Sequence, residues 1–291
     1  MRLGIHTFTA GSLEKAALKA VELGANTFQI FSASPRMWRA RPPDPRQVRL
    51  LQEVRERHDL RPLAIHVNYL VNLAALDPLV RARSIACFRA EVERAAAIGA
   101  EYLVVHPGSY RGQSVEEGIA AFALGLRDAT RGLSPAGLAV LLENTAGAGC
   151  QLGSRFEELR SIRDLARPLT ELPVGFCLDT CHLLAAGFDI ARAPGLRSTL
   201  RRADELLGLS HVHLIHANDS RAALGSRLDR HQHIGLGHIG LEGFRRLLHH
   251  PKLRRKPFIL ETPITADGDD RRNLDTLKAL AASRRTTAPH L

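Results

Sequence analysis

Nine His, Asp and Glu residues are spaced along this chain in a way that could build one metal centre. Six of them end short apolar runs, and three follow shortly after such a run. An ionisable group at the end of a buried strand is costly to desolvate unless it is paired or bound to a cation. Mixed imidazole and carboxylate sets suit Zn²⁺ or Mn²⁺, and carboxylates can bridge paired ions. The candidates are His66, His106, Glu143, Asp179, His182, His216, Asp229, His231 and Glu261.

The number of these candidates is what indicates metal binding, because a single histidine at a strand end is more often an ordinary hydrogen-bonded residue than a ligand. Nine ligands exceed the needs of one four-coordinate ion, so the set predicts two or three metals. The densest stretch spans residues 213–231, where an apolar strand turns polar after His216. The same stretch ends in the run Asp229-Arg230-His231, which predicts several ligands aimed at one point.

The elements that must position these residues alternate between short apolar runs and longer amphipathic ones. Such alternation predicts parallel strands joined by right-handed helical crossovers. Eight units in a chain of this length indicate a closed (β/α)8 barrel, with a doubly wound open sheet as the alternative. No Gly-x-Gly-x-x-Gly follows the first strand, which disfavours a dinucleotide fold. The predicted strands are 2–6, 27–31, 63–67, 102–106, 139–143, 174–179, 212–216 and 258–262, and the predicted helices are 12–24, 45–57, 78–98, 115–131, 155–165, 195–207, 241–249 and 270–283.

The chain reads as one catalytic domain over residues 1–285, followed by a short tail at 286–291. Two segments after strands, 32–44 and 219–240, are longer than the alternation requires, and such loops build the sites of barrels. No apolar run approaches the ~18 residues of a membrane span, and no signal peptide is evident at the N-terminus. Four scattered Cys in such a chain predict a reducing cytoplasm.

The charge balance is strongly basic, with a net charge of +10 and 40 Lys and Arg residues. Only five of the 40 are Lys, so Arg dominates. Arg binds phosphate through a planar fork, and an excess of this size favours a polyanionic partner. A solvated Arg-rich surface is the alternative explanation, and composition alone does not separate the two.

Three longer motifs carry a resemblance to a known family: LLENTAGAG (141–149), CLDTCH (177–182) and LIHANDSRAALGSRLDRHQHIGLGHIG (214–240). Short matches at HVNYL, HPGSY and ILETP agree with them. The chain resembles the endonuclease IV family of apurinic/apyrimidinic (AP) endonucleases, also called AP endonuclease family 2. The motifs follow the order of strands three to eight, so the resemblance covers nearly the whole chain.

The resemblance implies a single xylose-isomerase-like TIM barrel that holds three Zn²⁺ ions. It implies hydrolysis of the phosphodiester 5′ to an abasic site, leaving a 3′-hydroxyl and a 5′-deoxyribose phosphate, with 3′-end trimming as a further activity. A hydroxide between two ions bridged by Glu143 would be the nucleophile, with Glu143 and Glu261 as catalytic carboxylates. The implied sets are His66, His106 and Glu143 for the first ion, Glu143, Asp179, His216 and Glu261 for the second, and His182, Asp229 and His231 for the third.

The implied partner is double-stranded DNA containing abasic sites, bound by a monomer. Arg36 and Tyr69 match the side chains that family members push into the duplex, with Leu70 beside Tyr69. Arg221 stands where the family usually has Lys and would hold phosphate. The opening GIHTFTAGSLE departs from the family's small-residue run, so the first loop is expected to contact DNA differently.

Two other functions compete with a zinc-dependent abasic-site endonuclease. A sugar isomerase or epimerase of the related xylose-isomerase-like barrels would use one or two divalent ions and would need neither the Asp229-Arg230-His231 run nor a basic face. A non-catalytic DNA-binding barrel would be expected to lack some ligands, whereas all nine candidates are present.

Overall fold

The computed structural model describes residues 1–283 and contains a closed barrel of eight parallel strands. Each strand pairs with its sequence neighbours, and the last pairs with the first to close the ring. A separate two-stranded antiparallel hairpin, β8 and β9, lies between the seventh and eighth barrel strands. The strands are β1 Leu3–His6, β2 Thr27–Phe31, β3 Leu63–His66, β4 Tyr102–Val105, β5 Ala139–Glu143, β6 Val174–Asp179, β7 Val212–His216, β8 Asp219–Ser220, β9 His231–Gln232 and β10 Phe258–Leu260.

Helices surround the barrel and connect its strands, as expected for right-handed parallel crossovers. Short 3₁₀ turns at Arg167–Leu169 and Leu209–His211 lead into β6 and β7. The helices are α1 Leu13–Glu22, α2 Pro45–Arg57, α3 Pro78–Ile98, α4 Val115–Thr130, α5 Phe156–Ala166, α6 Thr180–Ala185, α7 Ala193–Leu206, α8 Gly240–His249 and α9 Asp269–Ala282.

Local sequence signals fix where several helices begin. The Ser12 side chain accepts a hydrogen bond from the backbone N–H of Lys15, so it caps α1. Asp44 and Asp77 cap α2 and α3 in the same way, each followed by a proline whose fixed φ suits a first helical turn. Gly99 ends α3 in the left-handed conformation, with φ of 77°, that an L side chain rarely adopts.

The barrel has two apolar layers, which differ in the strand face that builds them. The larger layer lies between the strands and the helices and includes most of the buried Leu, Ile, Val and Phe residues. The smaller layer fills the inside of the barrel with one residue from each of six strands. Its members are Ala64, Val104, Leu141, Cys177, Leu214 and Ile259. Because the inside is packed, the site must lie above this plug rather than within it.

The eight predicted strands and eight predicted helices are confirmed, each within two residues at either end. The closed ring excludes the open-sheet alternative. Two elements differ from the prediction, since α6 was not expected and the segment 219–240 contains the β8–β9 hairpin instead of an unstructured loop. The predicted tail at 286–291 lies outside the described residues, so the domain boundary stays a prediction. Within residues 1–283, no helix combines the length and apolar character that crossing a bilayer requires.

Candidate metal centre

Strand register places six of the nine candidate ligands in one ring at the C-terminal end of the barrel. Each lies two residues after a member of the inner plug, as Glu143 does after Leu141 and His216 after Leu214. Successive side chains on a strand point to opposite faces, so residues two apart share the inward face. The same spacing holds for His66, His106, Asp179 and Glu261. The inward face therefore changes from apolar to ionisable at one level around the barrel.

Glu143 lies at the centre of this ring and is 1% exposed. Its Oε2 lies 3.2 Å from Nε2 of His66 and 3.2 Å from Nε2 of His106. Its Oε1 lies 2.9 Å from Nδ1 of His216, on the other side of the carboxylate. The two oxygens therefore face two separate groups of potential ligands, which is the arrangement that a bridging carboxylate requires.

Glu261 and Asp179 complete the group around His216. Ligand atoms of Glu143, Asp179, His216 and Glu261 all lie within 4.8 Å of one another. The buried amide of Asn218 donates to Asp179 Oδ2 at 2.6 Å and to Glu261 Oε2 at 3.3 Å, so it sets the spacing of these two carboxylates. These four residues are the set expected for the second ion.

A third group joins α6 to the β8–β9 hairpin. His182 lies on α6, whereas Asp229 and His231 lie on the returning arm of the hairpin. The Asp229 carboxylate contacts His182 Nε2 at 3.1 Å and His231 Nε2 at 3.3 Å. Neither Nε2 atom has a hydrogen-bond partner of acceptable geometry, although both are buried. Two buried nitrogens facing one carboxylate form a donor set that suits a cation.

The histidine rings are held so that one nitrogen faces the site. Nδ1 of His66, His182 and His231 donates to the backbone carbonyl oxygens of Val67, Asn144 and Glu261, at 2.7, 2.9 and 3.0 Å. A carbonyl oxygen only accepts, so Nδ1 carries a proton and Nε2 is the nitrogen that faces the site. Orientation by a hydrogen bond from the far nitrogen is usual for metal-binding histidines. The donor set therefore fits divalent ions.

The side chain of Gln29 holds His216 in the reverse orientation. Its Oε1 accepts from His216 Nε2 at 2.8 Å, which leaves Nδ1 facing Glu143. Its Nε2 donates to Glu261 Oε1 at 2.6 Å and lies 3.0 Å from His6 Nδ1. One buried amide thus fixes two candidate ligands and connects them to β1.

The ionisable side chains of the candidate metal centre shift one another's pKa values in the metal-free chain. Burial would raise the pKa of Glu143, but His216 and His106 hold it well below its usual range. Burial would lower the pKa of His182, but Asp179, Asp229 and Glu143 raise it to about 10. Burial would also raise the pKa of Asp229, but His182 and His231 lower it to about 2. At neutral pH Glu143 and Asp229 are therefore charged, and His182 holds a proton that a metal ion must displace.

Two thiols lie close to the same clusters. Burial raises the pKa of Cys177 and of Cys181 to about 12 in each case. Metals bind the thiolate form, so these protonated thiols are weaker candidates than the imidazole and carboxylate groups beside them. All four cysteines are free.

The ring opens into a cavity of about 370 Å³. Its floor contains ligand candidates from all three groups, and its walls are largely apolar. Phe8, Tyr69 and Ile264 stand exposed at its mouth, with 65%, 67% and 49% of their surfaces accessible. A substrate can therefore reach the ionisable ring, and an apolar group can lie against its walls.

Of the residues predicted to contact DNA, Tyr69 lines the cavity, and the others lie on loops that follow barrel strands. Arg36 and Arg221 are exposed and make no ion pair within the part of the chain that the structure describes. Tyr69 is exposed and contacts Phe31 edge-on, with ring centroids 5.3 Å apart. Leu70 is half-buried beside it. Trp38, two residues after Arg36, is half-buried and packs against the core.

One buried amide joins the two loops that carry these residues. Asn68 donates to the backbone oxygen of Met37 at 3.2 Å and accepts from the backbone N–H of Leu70 at 3.0 Å. The loop with Arg36 and the loop with Tyr69 are therefore held to each other. Their contacts with DNA, and the ligand roles above, stay predictions.

The neutral residues that orient the candidate ligands were not predicted from the sequence. Gln29 and Asn218 are described above, and Asn144 accepts from the backbone N–H of Asp179 at 2.7 Å. Amides are not typical zinc ligands, so a search for ligand types passes over them. For Gln29 a signal existed, because it lies two residues after Thr27 on an inward-facing register that matches the other strands.

Known proteins share both the sequence and the fold of this chain. The model of a family described as xylose isomerase-like TIM barrels matches residues 17–284. A protein from Solibacter usitatus named probable endonuclease 4 is 73% identical over 284 residues, covering 98% of each chain. The solved endonuclease IV from Thermus thermophilus is 40% identical with a TM-score of 0.83, covering 96% of this chain and 98% of that one.

A more distant likeness concerns the fold alone. A D-tagatose 3-epimerase-like protein is 20% identical with a TM-score of 0.70, covering 96% of this chain and 97% of that one. The sugar-epimerase alternative thus shares the barrel but not the sequence. The match along nearly the full length at 73% identity shows that this chain belongs to the endonuclease IV family of AP endonucleases, within the xylose isomerase-like TIM barrels.

Proposed function

We propose that this chain is a deoxyribonuclease IV that acts in DNA repair by hydrolysing the phosphodiester 5′ to an abasic site. The products would be a 3′-hydroxyl and a 5′-deoxyribose phosphate. We further propose that the cofactor is Zn²⁺, with three ions per chain. Trimming of 3′ ends would be a secondary activity. The single observation that carries the proposal is the placement of all nine candidate ligands at one end of the barrel, in three groups of which two share Glu143.

The three groups give each residue a defined task. His66, His106 and Glu143 would hold the first ion, and the Glu143 carboxylate reaches toward His216 on its far side. Glu143, Asp179, His216 and Glu261 would hold the second. His182, Asp229 and His231 would hold the third. When bound, the ions would neutralise phosphate oxygens, supply hydroxide at neutral pH and stabilise the leaving oxygen.

The chain's own residues would orient and protect the reacting groups. Histidines hold Glu143 on both sides, and the amides of Gln29 and Asn218 hold Glu261, so the oxygens of both would need little rearrangement when substrate binds. The apolar walls of the cavity would exclude water around the phosphodiester. No side-chain nucleophile is needed, and the thiols nearest the ring are buried and protonated.

Recognition of the lesion would depend on the side chains at the opening. A missing base lowers the cost of unstacking, so a side chain inserted into the duplex selects damage without reading sequence. Tyr69 is exposed, aromatic and beside the cavity, and Arg36 lies on the loop held to it by Asn68. Leu70 would support Tyr69, and Arg221 would hold a backbone phosphate. A cytoplasmic location and a monomeric state stay predictions of the sequence.

The test is incubation of the zinc-loaded chain with a duplex carrying one stable abasic analogue, followed by identification of the product ends. We expect incision on the 5′ side of the lesion and no incision of the matched intact duplex. A parallel incubation with a ketose tests the epimerase alternative. Epimerisation of the ketose without incision of the duplex would overturn the proposal.

A further inference from the structure

The segment that carries two candidate ligands is built around a single buried carboxylate, that of Asp219. Asp219 is fully buried and opens the β8–β9 hairpin, where it pairs with Gln232. Its side chain accepts hydrogen bonds from five backbone N–H groups, at 2.8 to 3.3 Å. The donors are Ser220, Gly235, Gly237, Ile239 and Gly240. No cation pairs with it within residues 1–283.

Four of the five donors lie in the glycine-rich run GLGHIG at 235–240, and the glycines allow the backbone to bring these N–H groups to the carboxylate. Gly235 has a φ of 86°, which L side chains rarely adopt, so the chain can turn its N–H inward there. A Cβ on Gly237 would lie 2.4 Å from the Ser220 carbonyl oxygen and 2.5 Å from Asp219 Oδ1. Glycine at these positions therefore lets the backbone close around the carboxylate.

The Asp219 carboxylate also caps the N-terminus of helix α8. That helix has no side-chain cap of its own, and the N–H groups of Ile239 and Gly240 at its N-terminus donate to Asp219 instead. An anion at a helix N-terminus satisfies otherwise unpaired donors and is favoured by the helix dipole. Asp219 thus ties the end of β7 to the start of α8 and closes the segment between them.

The candidate ligands lie inside the closed segment. His231 pairs directly with Ser220, the residue after Asp219. The outer part of the hairpin is fixed to α6, because the N–H groups of Gly225 and Arg227 donate to the carbonyl oxygens of Leu184 and Ala185. The positions of Asp229 and His231 relative to His182 therefore depend on how the segment is held at its base.

We propose that Asp219 is a positioning residue that holds Asp229 and His231 in their ligand arrangement before any metal binds. Its carboxylate receives only backbone donors, so the arrangement needs no ion to form. The third metal group would then be preorganised, and its ion would bind without first ordering the hairpin. The part of this inference that concerns the ion rests on the proposed function.

The test compares hydrogen exchange in the metal-free chain and Zn²⁺ affinity in the loaded chain. Asp219→Asn keeps the side-chain volume but turns amide hydrogens toward the backbone donors. We expect amides across residues 221–234 to exchange at least about tenfold faster in this variant. We also expect the affinity for one Zn²⁺ to fall about tenfold to a hundredfold, with the other ions unaffected.

Three further variants separate positioning from general loss of stability. Gly237→Ala should reproduce both effects, because its Cβ intrudes on the carboxylate without changing any charge. Leu224→Ala shortens an exposed side chain in the same hairpin, and Asp77→Ala removes a remote helix cap, so neither should lower the zinc affinity. If Asp219→Asn fails to fold, the comparison of Gly237→Ala with Leu224→Ala decides the question.

Two results would overturn the inference. One is unchanged hydrogen exchange of the amides in residues 221–234, together with full zinc content, in both Asp219→Asn and Gly237→Ala. The other is acceleration spread evenly over the barrel strands with all ions lost together. If the wild type bound no zinc, the proposed function would fail, whereas the exchange comparison in the metal-free chain would still decide the role of Asp219.

Discussion

Removing the Tyr69 ring should impair recognition of the lesion without impairing the metal centre. Tyr69 is 67% exposed, and its ring centroid lies 5.3 Å from that of Phe31 and 6.1 Å from that of His66. It contributes no atom to any of the three ligand groups. Burial against the rim and the carboxylates of Glu261 and Glu143 raise its pKa to about 12, so it stays neutral beside the DNA phosphates.

The expected magnitude follows from stacking. A base stacked on an aromatic side chain is worth roughly 1–3 kcal/mol. Tyr69→Ala should therefore weaken binding to an abasic duplex by about tenfold to a hundredfold relative to an intact duplex. Tyr69→Phe keeps the ring and should retain most of this preference. The exposed position predicts a small stability change, within about 1 kcal/mol.

The assay is binding of each variant to abasic and intact duplexes, with zinc content measured alongside. Arg36→Ala should show a similar loss of preference, with a further loss that is common to both duplexes. Equal losses on the two duplexes would mean that Tyr69 only contacts the DNA backbone. Loss of zinc in Tyr69→Ala would mean that the ring supports His66, and the proposed insertion would be wrong.

Three further predictions follow from the charges of the site. Glu143→Ala should leave the barrel folded but lower the incision rate by more than about a hundredfold, because both faces of the carboxylate are used; single-turnover incision and circular dichroism measure this. The raised pKa of His182, about 10, stabilises the metal-free fold below pH 6.5, and this contribution is lost as pH rises toward 10. The melting temperature should fall across that window, and His182→Gln should flatten the dependence. Affinity for DNA should fall steeply with salt, and Arg221→Ala should reduce the salt slope by about one while weakening both duplexes alike.

The fold could be predicted because its signals are local. Apolar runs marked the eight strands, and amphipathic runs marked eight helices, each within two residues at either end. Helix α6 was not predicted because its six residues are too few to show a helical repeat of apolar positions. The β8–β9 hairpin was not predicted because each strand has only two residues and because its position depends on the backbone hydrogen bonds that the Asp219 carboxylate accepts.

The candidate ligands could be named from the sequence because ionisable residues at strand ends are conspicuous. Their grouping came from the family resemblance, and its geometric basis needs the register of six strands around one ring. The neutral amides that orient them are not conspicuous, since Gln29 and Asn218 act on residues 187 and 43 positions away, respectively. Such contacts depend on barrel closure, which spacing along the chain does not encode.

The measurement that tests the central claim most directly is the anomalous scattering of the zinc-loaded chain at the zinc absorption edge. We predict three peaks, each within about 2.0–2.3 Å of its ligand atoms. One peak would lie between His66, His106 and Glu143, one between Glu143, Asp179, His216 and Glu261, and one between His182, Asp229 and His231. One or two peaks, with none at Asp229 and His231, would contradict the three-ion account and favour a centre of the sugar-isomerase kind.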